Sequence, residues 1–284
     1  MGLGTFHFQL LYNVLENIHF MHDETELAQA VLDKVAGALN AEAGSIFKLS
    51  ETGVITPLAS FGAPIENLRK MKFSIGKGVI GWVAEFIQPV KVDNPAKDTR
   101  FMGTIDQSTG FKTRSIIAAP ILAKGKAIGI IEFLNRKDGP FANPDIELIS
   151  MVGREIGIAF ENAKLIRSME IARSFQEAVL NSLAAGVVVM DEDLRVLTMN
   201  PRAREILRFD DDAKVPPASK VFAAMPQLGE AVKSIDKPLM RQEMTMTVDG
   251  KSLTIGYSGV PVIGKDAARL GTAVLFQDIT AYVK

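Results

Sequence analysis

The sequence predicts an α+β protein of two domains, each an antiparallel sheet flanked by helices, joined by a long helix. Three observations predict it. Hydrophobic periodicity switches twice from a helical spacing to short strand-like runs. An unbroken helical pattern separates the two strand-rich regions. With 284 residues, 47% of them hydrophobic, the chain is long enough for two cores.

From Phe6 to Leu39 the apolar residues Leu11, Val14, Leu15 and Ile18, then Leu27, Val31, Val35 and Leu39, recur at three-and-four spacing. They predict two helices broken near His22-Asp23-Glu24. Strands over 44–49 and 54–61 around a turn at 51–53 follow, then a short helix over 79–86 and a brief strand over 89–92. Two strong strands, 116–122 and 127–134, turn at Lys124-Gly125-Lys126. Asn143-Pro144-Asp145 supplies a helix cap with proline in the first turn, and no Gly-Pro break interrupts the pattern until about Leu183.

Within this helix Ile149, Val152, Ile156, Ala159, Ala163 and Ile166 step by three and four, the seam of two helices packed in parallel. Burial on the domain's own sheet also explains the first half of that stripe. The register slips after Ile166, and for Leu165–Leu183 a dimeric coiled coil is expected. The second domain opens with strands at 186–191 and 195–200 and a helix begun by Pro201. Residues 210–240 are expected to form short helices. Strands at 243–248, 252–257, 260–263 and 270–276 close it, the first hairpin turning at Asp249-Gly250. In both domains the helices are expected on one side of the sheet.

Composition removes several classes of function. Lys and Arg (32) balance Asp and Glu (33) with no block of like charge, so no nucleic-acid or membrane partner is expected. No apolar run approaches the ~18–20 residues of a membrane span, and no signal peptide is read at the start, so a cytoplasmic location is expected. Absence of cysteine removes disulfides, thiolate metal sites, cysteinyl nucleophiles and chromophores attached through sulfur. All three histidines, His7, His19 and His22, precede either domain, which leaves no triad and no haem ligand inside one.

Glu16, His19, His22 and Asp23 are read as a solvated helix end, because a di-iron bundle needs a second such motif and two further carboxylates. Gly76-Lys-Gly-Val-Ile-Gly81 matches the dinucleotide fingerprint, yet only about two helical turns fit before Pro89, too few for a parallel crossover. No phosphate loop, kinase set or nucleophile elbow is present. Catalytic residues and metal sites are therefore expected to be none.

Arg100–Ile121, with Asp106-x-x-Thr109-Gly-Phe-x-Thr113, and Ile128–Arg136 followed by Phe141-x-x-x-Asp145 resemble a GAF domain, over roughly residues 24–165. Within that family they most resemble the cyclic-nucleotide-binding type of phosphodiesterases and adenylyl cyclases. The resemblance implies a ligand pocket at Ser45, the backbone of Val79 and Ile80, Asp106, Thr109, Thr113 and Glu132, and a structural motif of Asn135, Arg136, Phe141 and Asp145. It implies cAMP or cGMP as ligand; hydroxyls and amide N–H groups suit a cyclic phosphate, and carboxylates suit purine N–H groups and ribose. Arg136 stands where the family has Lys, Ile146 where it has Glu, and Met102 where a pocket aromatic is expected. Trp82, the single tryptophan, is expected to pack in the core.

Gly186–Asn200, Pro201-Arg-Ala203 and Phe276-Gln-Asp-Ile-Thr280 resemble a PAS domain, with Asp278 and Thr280 at the junction through which such domains hand over to a following helix. No flavin, bilin or haem is supported. The expected organisation is an N-terminal helix (1–23), a GAF-like domain (24–160), a connecting helix (161–183), a PAS-like domain (184–280) and the start of an output linker (281–284). The resemblance implies the sensory region of a bacterial signal-transduction protein, a parallel homodimer acting on an effector, a histidine kinase or diguanylate cyclase. A scaffold for dimerisation, or a sensor of another metabolite, is the alternative.

Overall fold

The computed structural model describes residues 23–103, 106, 110–209, 216–224, 232, 238–248 and 251–282. The expected N-terminal helix, with the Glu16 and His19 cluster, lies outside them, as do Thr109 and the Asp249-Gly250 turn. The chain divides into two compact units, the second beginning at Ile171. Among the described residues no helix is long and apolar enough to cross a membrane.

In the first unit α1 (Glu24–Ala38) starts where the Asp23 carboxylate accepts from the Thr25 and Glu26 N–H groups, 2.8 and 3.1 Å away. The sheet follows the order β3-β2-β1-β6-β5-β4, all antiparallel. Its strands are β1 (Ala41–Leu49), β2 (Val54–Phe61), β3 (Phe73–Ser74), β4 (Val90–Val92), β5 (Ile116–Ala123) and β6 (Lys126–Arg136). The five-residue α2 (Ile65–Arg69) precedes β3 and α3 (Gly78–Phe86) follows it. The sequence reading passed over α2 and β3, which are too short to show a period.

Helices cover both faces of this sheet, not one. Ile117, Ala119, Ile121, Ile131 and Phe133 pack with α1 and α4 (Asn143–Ser182), while Phe47, Ile116, Ala118 and Ile130 pack with α3. This is why β5 reads as an uninterrupted apolar run: a strand buried on both faces has no solvent side to alternate toward.

The start of α4 corrects the expected cap. Asn143 already lies in the first turn, and Asp145 reaches back to accept from the Ala142 N–H at 2.7 Å, the returning half of a capping box. The predicted seam is also corrected. Ile149, Val152, Ile156, Ala159 and Ala163 are buried against the sheet of their own unit, Ile166 is half-buried, and from Leu165 onward the large apolar residues of α4 are exposed or half-buried. Three-and-four spacing marks a covered face without saying which surface covers it.

Gly153 and Gly157 let α4 approach β5 closely: a Cβ at Gly157 would stand 1.9 Å from the Leu122 carbonyl oxygen. Gly157→Ala is expected to cost about 1–3 kcal/mol by forcing the helix off the sheet, measured as a lowered midpoint in denaturant unfolding.

In the second unit the order is β8-β7-β11-β10-β9. The strands are β7 (Gly186–Met190), β8 (Val196–Met199), β9 (Leu239–Val248), β10 (Lys251–Ile263) and β11 (Arg269–Asp278), with α5 (Pro201–Leu207) and α6 (Ala218–Ala224) beside them. Val188, Met190, Ala203, Ile206, Ile255, Val274 and Phe276 form its core. The two strands expected at 252–257 and 260–263 are one, with a register shift between Tyr257 and Gly259 in its pairing to β9.

Buried Asn200 ties three elements of this unit together. Its Oδ1 accepts from the Val187 and Ala203 N–H groups (2.8 and 2.9 Å), and its Nδ2 donates to the Leu180 and Ala185 carbonyls (3.0 and 2.9 Å). The last turn of α4 is thereby fixed to β7 and α5.

Candidate functional site

The dinucleotide-like glycines act locally. Gly76 (φ +76°) and Gly78 (φ +73°) take the left-handed conformation, and a Cβ at Gly81 would stand 2.2 Å from the Ser74 carbonyl oxygen. They fold the chain back so that α3 begins directly beside β3. Lys77, at the cap position of α3, makes no side-chain cap, and Val79 and Ile80 of the first turn border a cavity of about 380 Å³. Helix N-termini present unpaired N–H groups and a partial positive charge, favourable to anions.

Ser45 and Phe47 of β1, Ile116 of β5, and Glu132 and Leu134 of β6 supply the sheet side of the cavity. Ser45 and Glu132 are direct partners in the β1–β6 register, so their side chains stand on the same face. The remaining walls come from α2, β3 and the residues between them (Leu68, Met71, Lys72, Phe73, Ser74), from Lys77 and Gly78, and from Phe101, Met102, Asp106 and Thr113. Six of the seven expected pocket residues, Ser45, Val79, Ile80, Asp106, Thr113 and Glu132, thus border one cavity. The seventh, Thr109, is outside the described residues.

Glu132 is the electrostatic centre of this space. It is 8% exposed, no described residue hydrogen-bonds to its carboxyl, and burial pushes its pKa up to about 8. Near neutral pH the group is mostly protonated, able to donate as well as accept. Asp106 is engaged already: its Oδ2 accepts from the Thr113 N–H and its Oδ1 from the Thr113 hydroxyl, each at 2.7 Å. That clamp closes residues 106–113 into a wall.

Asn135 anchors the same wall from behind. It is 1% exposed with a left-handed φ of 54°. Its Oδ1 accepts from the Arg114 N–H (2.6 Å) and the Ser115 N–H (3.3 Å), while Nδ2 donates to the Lys112 carbonyl and to Glu42, both at 2.9 Å. Arg114 donates to Glu42 at 2.5 Å, and with Asn135 it holds the Glu42 carboxyl below the usual carboxylate range. Arg136 donates to buried Asp145 at 2.6 Å, and Phe141 lies in the core, so these motif residues brace the sheet and α4 without reaching the cavity.

Trp82 is half-buried, with the Arg100 guanidinium 4.8 Å above its ring. Arg100 also forks onto Asp98 (2.9 and 2.6 Å), whose carboxyl it lowers. The pair fixes the segment that carries Phe101 and Met102 to the cavity. Sequence reasoning missed Lys72 and Lys77, two exposed lysines at the rim. Their only signal was position, next to a glycine turn that opens a helix.

This six-stranded antiparallel sheet, with one short helix beginning at a cavity on the face away from α1 and α4, decides the comparison with known proteins. The GAF domain family model matches residues 23–160, and a PAS domain model matches residues 174–234. The chain carries a GAF domain followed by a PAS domain.

A probable 3',5'-cyclic phosphodiesterase of Caenorhabditis elegans is 28% identical over 148 residues, 51% of this chain and 20% of that protein. A dual 3',5'-cyclic-AMP and -GMP phosphodiesterase of Takifugu rubripes is 32% identical over 155 residues, 50% of this chain and 17% of that protein. The chain therefore spans a fifth or less of these relatives. Among solved structures, the GAF domain of a phosphoenolpyruvate-protein phosphotransferase from Coxiella burnetii covers 57% of this chain and 96% of its own, with TM-score 0.52 and 17% identity, a likeness of fold.

GAF and PAS domains are sensory and regulatory. Just past β11, Thr280 donates from its N–H (2.9 Å) and hydroxyl (2.6 Å) to Asp278, lowering that carboxyl, and the hydroxyl accepts from the Thr254 N–H at 2.8 Å. Asp278 and Thr280, expected as a junction, thus pin the segment after β11 to β10.

Proposed function

We propose that the GAF cavity binds a 3',5'-cyclic nucleotide, cAMP or cGMP, and that the chain is the cytoplasmic input region of a bacterial signal-transduction protein. One observation carries the reading: a helix N-terminus and two lysines border the same cavity as apolar walls and a buried carboxyl that no described residue hydrogen-bonds. The N–H groups of Val79 and Ile80, with Lys72 and Lys77, suit a cyclic phosphate. Phe47, Phe101 and Leu134 suit the faces of a purine. Ser45, Thr113 and Glu132 offer the hydroxyls and carboxyl that ribose and base edges require. The phosphodiesterase relatives of the GAF domain support this choice of ligand.

Binding then shifts the packing of α4 within a parallel homodimer, and Asn200 transmits the shift to the PAS domain. The effector it acts on is a histidine kinase in preference to a diguanylate cyclase, and the region itself is regulatory. A coupling of this kind needs a ligand that favours one of two helix arrangements, typically by about 1–3 kcal/mol.

Titration calorimetry with cAMP and cGMP tests the ligand. Heat with a 1:1 stoichiometry per chain is expected. Asp106→Ala and Thr113→Ala should each weaken binding by about 1–3 kcal/mol, as the wall they clamp opens. The mutual bonding of Asp106 and Thr113 favours a second reading, a GAF domain for a different small metabolite or a dimerisation scaffold. Absence of heat with either nucleotide on folded protein selects that reading.

A further inference from the structure

We infer that Met102 is an oxidation site that gates the GAF cavity: a peroxide converts its thioether to the sulfoxide, whose oxygen takes the N–H groups at the start of α3 and shuts anions out. The consequence for nucleotide rests on the proposed function, whereas the modification stands without it.

The segment from Arg100 to Met102 lies along α3. Arg100 covers the Trp82 ring at 4.8 Å, and one helical turn earlier on the same face the Met102 sulfur stands 3.5 Å from where a Cβ of Gly78 would be. Gly78 has no such atom, so the thioether rests against the first turn of the helix. The N–H groups of that turn have no acceptor within the helix, and Lys77 at the cap position supplies no side-chain cap. A thioether is a weak acceptor and leaves these donors to a ligand. A sulfoxide at the same place is polar and accepts through its oxygen.

Composition and accessibility single this sulfur out. The chain has 12 methionines and no cysteine, so reversible oxidation of sulfur falls on thioethers alone. Among the described residues Met102 (45% exposed), Met169 (72%) and Met240 (59%) are the exposed methionines, and of these only Met102 borders the cavity. Met71, also in the cavity wall, is half-buried. The aromatic that the GAF resemblance places at position 102 would carry no sulfur to oxidise.

The step is a two-electron oxygen transfer. A lone pair of Sδ attacks one oxygen of hydrogen peroxide, the S–O bond forms as the O–O bond breaks, and the other oxygen leaves as water after proton transfer. Sulfur is oxidised and the peroxide reduced. A sulfoxide reductase drawing electrons from thiols reverses the change. Two effects follow at the cavity. The new oxygen competes with a cyclic phosphate for the N–H groups of Val79 and Ile80, and the wall beside Phe101 loses apolar surface.

Millimolar hydrogen peroxide on the full chain, followed by digestion and mass spectrometry, should add one oxygen to Met102 as well as to Met169 and Met240, and to buried Met190 far more slowly. Saturating cAMP or cGMP should slow the reaction at Met102 and leave Met169 unaffected. After oxidation the Val79 and Ile80 amides should exchange hydrogen more slowly, having gained an acceptor, and nucleotide affinity should fall by about tenfold or more. Methionine sulfoxide reductases acting on both epimers should restore both quantities. In Met102→Leu, peroxide should change neither quantity from its value in that variant before treatment.

Met102 left unoxidised while Met169 is converted, or a loss of affinity in Met102→Leu equal to that of the parent, would overturn the inference. Unchanged exchange at Val79 and Ile80 in fully oxidised parent overturns it as well, whether or not a nucleotide binds. Calorimetry on untreated protein decides the ligand alone, so the two readings fail separately.

Discussion

Replacing Glu132 by glutamine is expected to remove most of the pH dependence of the GAF domain's stability between about pH 5 and 8. In the folded domain burial holds this carboxyl near 8, against 4.5 as the ordinary value, so between those values the folded state binds a proton that the unfolded chain does not. Unfolding then releases that proton, and stability falls as pH rises through the window, by up to ~1.4 kcal/mol per pH unit, levelling off above about 8. Below about 4.5 both states are protonated and the contribution is complete. Glutamine keeps the shape and cannot ionise. Denaturant unfolding at a series of pH values should show the variant more stable than the parent at pH 8.5 by a few kcal/mol, with little difference at pH 4.5. Parallel pH profiles in both proteins would mean that Glu132 finds a partner that stabilises its charge.

Asn135→Ala is expected to be the most damaging single change to the cavity wall, costing about 3–5 kcal/mol and abolishing tight ligand binding. Four hydrogen bonds disappear with one side chain. The buried Ser115 N–H and the part-buried backbone groups of Lys112 and Arg114 are left short of partners, a fully buried group of this kind costing about 1–3 kcal/mol and a part-buried one less. Alanine also tolerates a φ of 54° poorly, at about 1–2 kcal/mol. Asn135→Gly separates the two causes, because it loses the bonds and keeps the left-handed backbone at no steric cost. The difference between the variants in chemical denaturation measures strain, and the remainder measures the wall. Two equally stable variants would remove strain from the account.

Much of this architecture was legible in the sequence, for reasons visible in particular residues. The Pro201 start, the Lys124-Gly125 turn and the apolar runs of β5 and β6 are local signals, and local signals survive folding. What the sequence could not supply was the identity of the surface opposite each apolar stripe. Ile149 to Ala163 has the spacing of a helix pair, yet the surface it meets is β5 and β6 of its own domain. The expectation of helices on one side failed for the same reason: α3 is only nine residues long, and its burial opposite α1 follows from sheet alternation.

The candidate site was legible through the family resemblance, which placed Glu132, Asp106 and Thr113 by motif position, while the clamp of Asp106 on Thr113 needed coordinates. Lys72 and Lys77 were not, because they lie in the short connections on either side of β3, which carry no periodic signal, and a lone lysine is ordinarily a solvated one. The resemblance supplied Asn135 and Asp145 as a motif. Their separate tasks, one behind the cavity wall and one at the start of α4, needed coordinates.

The central claim is that the GAF cavity holds a cyclic nucleotide, and electron density from crystals grown with cAMP and with cGMP tests it most directly. The account predicts nucleotide density with its phosphate at the N–H groups of Val79 and Ile80 and a polar edge of its ribose or base within hydrogen-bonding distance of Glu132. A cavity without nucleotide at saturating concentrations of both, or nucleotide bound away from α3 and β6, would contradict it.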